Sequence, residues 1–461
     1  MMMSQVARAL NATLHGNDVL MTGVSKDTRD INVGDLYVAL KGERFDGHQF
    51  IESANSSGAV GALVSDLQID EKKYDIPQVK VDDTRLALGR LAAHWCQQWR
   101  KKSSTGKLIG ITGSNGKTSV KEMCRKILTD SVGEPAVLST KGNLNNDIGL
   151  PMMLLELEAK HEFAVIEMGA NHIGEIDYLT SIAKPDVAIV NNVGPAHLEG
   201  FGSLENTAKT KAEIFNGLSK QGIAVINLDD AFASYWQKFC EDKKVCSFSM
   251  QHEQADVFAK KIADNRYFIV TEQEKFELSL KVPGKHNVMN ALAATAATLS
   301  VGVPLSSIVN SLSEFENITG RLTTSFSDMG YRVIDDTYNA NPLSVSAAID
   351  VLAGLPGNRI LVLGDMGELG ESANKMHADV GCKAKEAGVD SLYATGELSV
   401  DTVKSFGENG FHFRTKKELV SALQEKLTEN DIVLVKGSRS AAMEEVVERI
   451  LTHNNNSKRV N

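Results

Sequence analysis

The stretch Gly110-Ile-Thr-Gly-Ser-Asn-Gly116-Lys117-Thr118 limits this chain more than any other feature. It matches G-x-x-x-x-G-K-[ST] at each fixed position, follows a strand-like run at 108–111 and precedes a helix expected over 119–129. Glycines 113 and 116 let the main chain turn its N–H groups toward phosphate oxygens, and the following helix adds the positive end of its dipole. Lys117 can reach β- and γ-phosphates, and the Thr118 hydroxyl can ligate Mg²⁺. A glycine-rich turn that binds nothing is the bland alternative, and the strand–loop–helix context argues against it. Thr112, Gly113, Ser114, Asn115, Gly116, Lys117, Thr118 and Ser119 are therefore the candidate nucleotide-binding residues.

The bulk properties fit an enzyme of this kind. A length of 461 residues suggests about three domains, and 42% apolar with 23% charged residues is ordinary for a globular chain. No apolar run approaches the ~20 residues that span a bilayer, so no membrane insertion is expected. The first residues mix polar with apolar side chains and lack the continuous core of a secretory leader. Cys96, Cys124, Cys240, Cys246 and Cys382 are scattered without CxxC spacing, which points to reduced thiols in the cytoplasm rather than zinc or disulfides. A net charge of −10 disfavours a nucleic-acid surface, so an anionic ligand needs local basic or amide groups.

Three stretches read differently. Residues 1–100 hold short strands at 35–40 and 59–64, a helical run at 49–57, and a helix capped by Asp83 that runs toward Trp95 and Trp99. Residues 101–107 are polar and aperiodic, as a linker would be. Residues 108–318 alternate strands with helices; 163–166 and 186–190 are apolar like buried parallel strands, 255–282 is a β-rich insertion, and a helix follows from Asn287. Residues 319–461 repeat a βα rhythm with strands at 331–334, 359–363, 391–394 and 431–435. There Pro342 opens a helix with Val345, Ala348, Ile349 and Leu352 on one face, and the tail 452–461 reads as frayed. The expected fold class is α/β: a smaller N-terminal domain, a central P-loop domain with a parallel sheet, and a Rossmann-like C-terminal domain.

A phosphoryl site also needs acids at strand ends. Glu167 ends the run 163–166, and His197 lies in the loop after the run 186–190. Alone, either is a solvated loop residue; both follow strand C-termini of the domain that carries the phosphate loop, the edge where ligands bind.

Those residues belong to segments that resemble a known family, the Mur ligases of bacterial cell-wall synthesis together with folylpolyglutamate synthase. The segments are Gly23-Val-Ser-Lys-Asp-Thr-Arg29, Ala39-Leu-Lys-Gly-Glu-Arg-Phe-Asp-Gly-His48, the phosphate loop, Gly142-Asn-Leu-Asn-Asn-Asp-Ile-Gly149, Glu167-Met-Gly-Ala-Asn-His172, Ala196-His-Leu-Glu199, Gly284-Lys-His-Asn287, Asp335-Asp-Thr-Tyr-Asn-Ala-Asn-Pro342 and Gly364-Asp-Met-Gly-Glu-Leu369. Residues 39–48 and 335–342 resemble the dipeptide-adding branch. The resemblance implies an ADP-forming amide ligase of peptidoglycan synthesis, serving cell shape and division, with UDP-N-acetylmuramoyl-tripeptide and D-alanyl-D-alanine as substrates besides ATP. ATP would phosphorylate the precursor's carboxylate, which otherwise lacks a leaving group, and the dipeptide's amine would displace phosphate.

By that resemblance Thr118 and Glu167 hold Mg²⁺, His197 holds a second, and Lys117 binds the γ-phosphate. Lys211 matches a lysine that the family carbamylates with CO₂; read from the sequence alone it is an exposed helix lysine. Asn287 and Asn290 would contact the nucleotide, and Arg321 and Asp336 would close on ATP from the third domain; otherwise they are a linker cation and a turn residue. Ser25, Asp27, Thr28 and Arg29 would meet the uridine diphosphate end. Asn145, Asn339, Asn341, Lys436 and Arg439, with His377, are candidates for the remaining substrate contacts. A monomer is expected. The rivals are another ligase of the family, folylpolyglutamate synthase, or a P-loop small-molecule kinase.

Overall fold

The computed structural model describes all residues except 44, 69–75, 104, 196–197 and 453–461. His197 and, of the tail expected to fray, residues 453–461 thus lie outside the described residues. Strands gather into three sheets in chain order. The first has the order Thr13–His15, Gln78–Lys80, Gly61–Val64, Asp35–Val38, Gly23–Ser25, parallel except at its first pair. In the central nine-stranded sheet, Lys107–Thr112 lies between Phe163–Glu167 and Val187–Val190, parallel to both. Its far edge turns antiparallel at Arg266–Val270 and Lys275–Ser279, within the insertion expected at 255–282.

Continuous apolar runs form these strands because both sheet faces are covered. Ile109, Ile111 and Val165 feed one core, with Val120, Met123 and Ile127 of the helix Lys117–Val132 and the alanine-rich helix Lys285–Ser300. Leu108, Ala164 and Ile166 feed the opposite core. The same alternation explains the third sheet, ordered Thr323–Phe326, Arg332–Asp336, Asp431–Lys436, Asn358–Gly364, Ser391–Thr395, Gly410–Phe413. Val345, Ala348, Ile349 and Leu352 of Pro342–Ala353 cover one face, and Leu419, Leu423, Val446 and Ile450 cover the other. Helices on both faces of a mainly parallel sheet make it doubly wound.

The helix Thr84–Lys102 joins the first two units. Asp83 caps it by accepting from the Arg85 and Leu86 amides. Its first half places Ala87, Leu88 and Leu91 in the core of the first sheet, and its second half places Ala92, Cys96 and Trp99 in a central core. The Trp95 and Trp99 indoles donate to the carbonyls of Leu157 and His161 at 2.8 and 2.9 Å. The linker expected at 101–107 therefore shrinks to 103–106, because the helix runs to Lys102 and the strand starts at Lys107. Residues Met3–Leu10, not expected to be regular, form a helix burying Met3, Val6, Ala7 and Leu10. That spacing is an amphipathic stripe.

Candidate active site

The C-terminal ends of the central strands open into a cleft of about 1300 Å³. That exceeds the ~300–1,000 Å³ of an ordinary small-molecule site and leaves room for more than one substrate. Gly116 adopts φ +79°, and a Cβ there would stand 2.2 Å from Asn290 Oδ1, so only glycine fits. The helix Lys117–Val132 has no side-chain N-cap, which keeps its first amides for a ligand. Ser114, Asn115, Gly116, Lys117, Thr118 and Ser119 line the cleft. Thr112 lies behind them, its hydroxyl donating to the Met168 carbonyl at 2.9 Å. The Lys117 ammonium folds back onto the Gly113 carbonyl at 2.8 Å. Burial pushes its pKa down, while Glu167 works against the fall.

Glu167 is held from several sides. Thr118 Oγ1 donates to Oε2 at 3.0 Å and Asn145 Nδ2 donates to Oε1 at 2.8 Å. Its own amide donates to Thr140 Oγ1 at 2.9 Å, and the buried Lys121 ammonium donates to the Thr140 carbonyl at 2.9 Å. Among the described residues no group of three His, Cys, Asp or Glu side chains forms a metal cage. A second polar row braces the loop: Asn191 Nδ2 donates to the Asn115 carbonyl and to Asn290 Oδ1, both at 2.9 Å. Asn290 in turn donates to Asn287 Oδ1 at 3.4 Å. Sequence reasoning missed Asn191, Thr140 and Lys121, whose roles arise only when distant segments meet.

The opposite wall comes from the third sheet and the segment leading into it. Arg321 donates to Thr118 Oγ1 at 2.9 Å and stacks over Tyr338 at 4.2 Å. Its Nε is buried without a partner among the described residues, a donor suited to an anion. Lys436 donates to Asp336 Oδ2 at 2.5 Å and to the Asn339 carbonyl at 2.8 Å. Asn341 caps Pro342–Ala353 and also donates to Asn115 Oδ1 at 2.7 Å. Asp336, Asn339, Asn341 and Lys436 all line the cleft.

Lys211 departs from its sequence reading: it is 1% exposed, not a surface lysine, with its ammonium 5.2 Å from the Phe201 ring centroid. Burial lowers its pKa from 10.5 to about 7, Lys117 adds to the fall, and Glu213 and Glu175 oppose it. Other candidates lie apart. Arg29 pairs with Asp27 at 2.5 Å, its side chain exposed, and Ser25 bonds the Asp27 main chain. Neither these nor Thr28 line the cleft. Arg439 pairs with Glu444 at 2.7 Å, also outside it. His377 is buried with both ring nitrogens taken, by the Met366 amide and the Ala373 carbonyl, so it serves the main chain rather than a pocket.

Family profiles match three parts of the chain: "Mur ligase family, catalytic domain" at residues 20–95, "Mur ligase middle domain" at 111–298 and "Mur ligase, glutamate ligase domain" at 320–439. UDP-N-acetylmuramoyl-tripeptide--D-alanyl-D-alanine ligase of Escherichia coli (strain K12) is 44% identical over 453 residues, 96% of this chain and 97% of that protein. A crystal structure of MurF from Acinetobacter baumannii aligns with a TM-score of 0.89 at 36% identity, covering 97% of this chain and 98% of that one. MurF ligase from Thermotoga maritima in complex with ADP aligns at 0.80 with 27% identity, covering 94% and 98%. With nearly its whole length matched, the chain belongs to the Mur ligase family.

Proposed function

We propose that the protein adds D-alanyl-D-alanine to UDP-N-acetylmuramoyl-tripeptide in peptidoglycan precursor synthesis, converting ATP to ADP and phosphate. The observation that carries this reading is a complete phosphate loop on a cleft too large for a nucleotide alone, in a chain 44% identical over 453 residues to a ligase of that name. Lys117 draws charge from the γ-phosphate as the precursor's carboxylate oxygen attacks phosphorus, and ADP leaves. The dipeptide's neutral amine then attacks the acyl carbon, and phosphate departs with the C–O bond. Arg321 adds positive charge from the other wall, and Asp336 accepts from a ribose hydroxyl.

The donors beside the loop, the Thr118 hydroxyl and the Glu167 carboxylate, are hard oxygens, and their number suits a cation that keeps water and phosphate ligands. That chemistry fits Mg²⁺, which would screen phosphate charge; the resemblance gives a second ion to His197. A Lys211 amine titrating near 7 is substantially neutral at physiological pH, so its lone pair can attack CO₂, lose a proton and leave a carbamate anion. The blocks 1–100, 108–318 and 319–461 act as UDP-substrate, ATP-binding and closing units, and the closing unit also takes the dipeptide. Ser25, Asp27, Thr28 and Arg29 take the uridine diphosphate, and Arg439 the dipeptide side. The protein works as a cytoplasmic monomer on soluble precursors; among the described residues no helix is long and apolar enough to cross a membrane.

A phosphate-release assay over UDP-linked acceptors and amino-acid or dipeptide donors tests the reading. Release requiring both the UDP-tripeptide and D-alanyl-D-alanine supports it. A γ-phosphate kept on the product would make the protein a kinase, and dependence on folate and glutamate would move it to the sister branch.

A further inference from the structure

One buried cation of the central unit takes no part in the reaction above. Lys121 lies one turn after Lys117 in the helix Lys117–Val132, and its side chain is 3% exposed. Neither Lys121 nor Thr140, to which it is bound, lines the cleft. The Lys121 ammonium meets Glu122 Oε1 at 2.5 Å and donates to the Thr140 carbonyl at 2.9 Å. Arg125 holds the other oxygen of Glu122 at 2.8 Å. Burying a charge is expensive even when it is paired, and an apolar side chain of similar size would fill the space without that penalty. The charge therefore points to a task at Thr140.

Thr140 stands where two strands part. Val137–Ser139 runs parallel to Phe163–Glu167, with Ser139 opposite Val165. The Thr140 amide still donates to the Val165 carbonyl at 3.0 Å. In a regular parallel ladder the Thr140 carbonyl would next accept from the Glu167 amide. Here the Thr140 hydroxyl accepts that amide instead, at 2.9 Å, and the carbonyl turns away to Lys121. The chain thereby leaves the sheet and crosses to the cleft. There the Asn145 carbonyl accepts from the Gly169 amide at 2.9 Å, and Asn145 Nδ2 donates to Glu167 Oε1 at 2.8 Å. One segment thus grips Glu167 at both its main chain and its carboxylate, and Lys121 ties that segment to the helix carrying Lys117 and Thr118. We propose that Lys121 is a positioning residue for the Glu167 carboxylate. Its ammonium fixes where 141–145 departs from the sheet, and Asn145 then aims Glu167 at the cation shared with Thr118. The inference rests on the Mg²⁺ reading above and extends it to a residue outside the cleft.

The test is calorimetric titration of a non-hydrolysable ATP analogue into the full chain and its variants, once with excess Mg²⁺ and once with EDTA. In the intact protein Mg²⁺ tightens binding. Lys121→Met keeps the side chain's length but removes its charge and donors. It should lose about 10-fold or more of that gain, the scale of losing a group that orients a metal ligand. Affinity in EDTA should stay as it was, because the phosphate loop is untouched. Asn145→Ala should lose a similar share, and the double variant no more than either single one, since both act through one carboxylate. Lys121→Gln keeps a donor for Thr140 and should show a smaller loss. A gain left whole by Lys121→Met, or by Lys121→Gln where the first does not fold, overturns the proposal. Equal losses with Mg²⁺ and with EDTA also overturn it, because they mark a residue that only holds the fold. Losses that multiply in the double variant overturn the route through Asn145. No Mg²⁺ gain in the intact protein would defeat the metal reading at Glu167, and this proposal with it.

Discussion

Glu167 and Asp336 face each other across one cleft, yet they are held in different ways. Glu167 is fixed by hydroxyl, amide and main-chain contacts from Thr118, Asn145 and Thr140, all within the central unit. Asp336 has the single buried cation Lys436. Its wall reaches the central unit through contacts that include Arg321 to Thr118, Asn341 to Asn115, and Leu343, whose Cδ1 would lie 2.1 Å from a Cβ on Gly194 in the loop after Val187–Val190. The connection runs through Gly320 at φ +74° and Leu322 at φ +53°, the latter a strained conformation for a branched side chain. The central wall is a preorganised floor and the C-terminal wall a cover that side chains latch. Loss of a floor residue should therefore stop chemistry, while loss of a latch should weaken nucleotide capture.

Lys117→Ala should show the largest effect, a fall in kcat of about 10³-fold, because one preorganised charge at a transferring phosphoryl group is worth that much. A change in KM alone would erase the distinction between floor and cover. Glu167→Gln keeps shape but removes charge and should cost about 10²-fold in kcat, with a steeper Mg²⁺ requirement in a titration of rate against metal.

Lys211 tests the floor through pH. It titrates near 7 when folded against an ordinary 10.5, so between those values the unfolded chain holds the extra proton. Stability then rises with pH across that window, by up to about 1.4 kcal/mol per unit, and is lowest below it, where the buried cation is fully charged. Urea unfolding in CO₂-free buffer should show this rise, and Lys211→Met should flatten it. Equal slopes would mean that the lysine is not desolvated. The smallest effect belongs to the cover: Arg321→Ala should raise KM for ATP about 10-fold with a lesser loss of kcat. Small-angle scattering should also show compaction with both substrates bound.

What the sequence revealed follows from how local each feature is. The phosphate loop occupies consecutive residues whose backbone needs are set by glycine and lysine, and Glu167 is marked by the strand it ends. The stripe Val345, Ala348, Ile349, Leu352 was equally legible, and these are the buried residues of Pro342–Ala353. Lys211 was not, because a charged residue in a helix gives no sign of being enclosed by other segments, Phe201 of the preceding helix among them. The end of Thr84–Lys102 was misjudged because Lys101 and Lys102 look like linker, although the helix runs through both and Arg100 just before them pairs with Asp186 at 2.8 Å. Short strands such as Gly410–Phe413 carry too few residues for alternation to register.

The account depends on the acceptor's carboxylate being phosphorylated before the amide forms. A UDP-tripeptide carrying ¹⁸O at both oxygens of the reacting carboxylate tests this directly, by mass spectrometry of the phosphate released during turnover with D-alanyl-D-alanine. The account predicts one labelled oxygen in each phosphate. Unlabelled phosphate alongside amide product would contradict it.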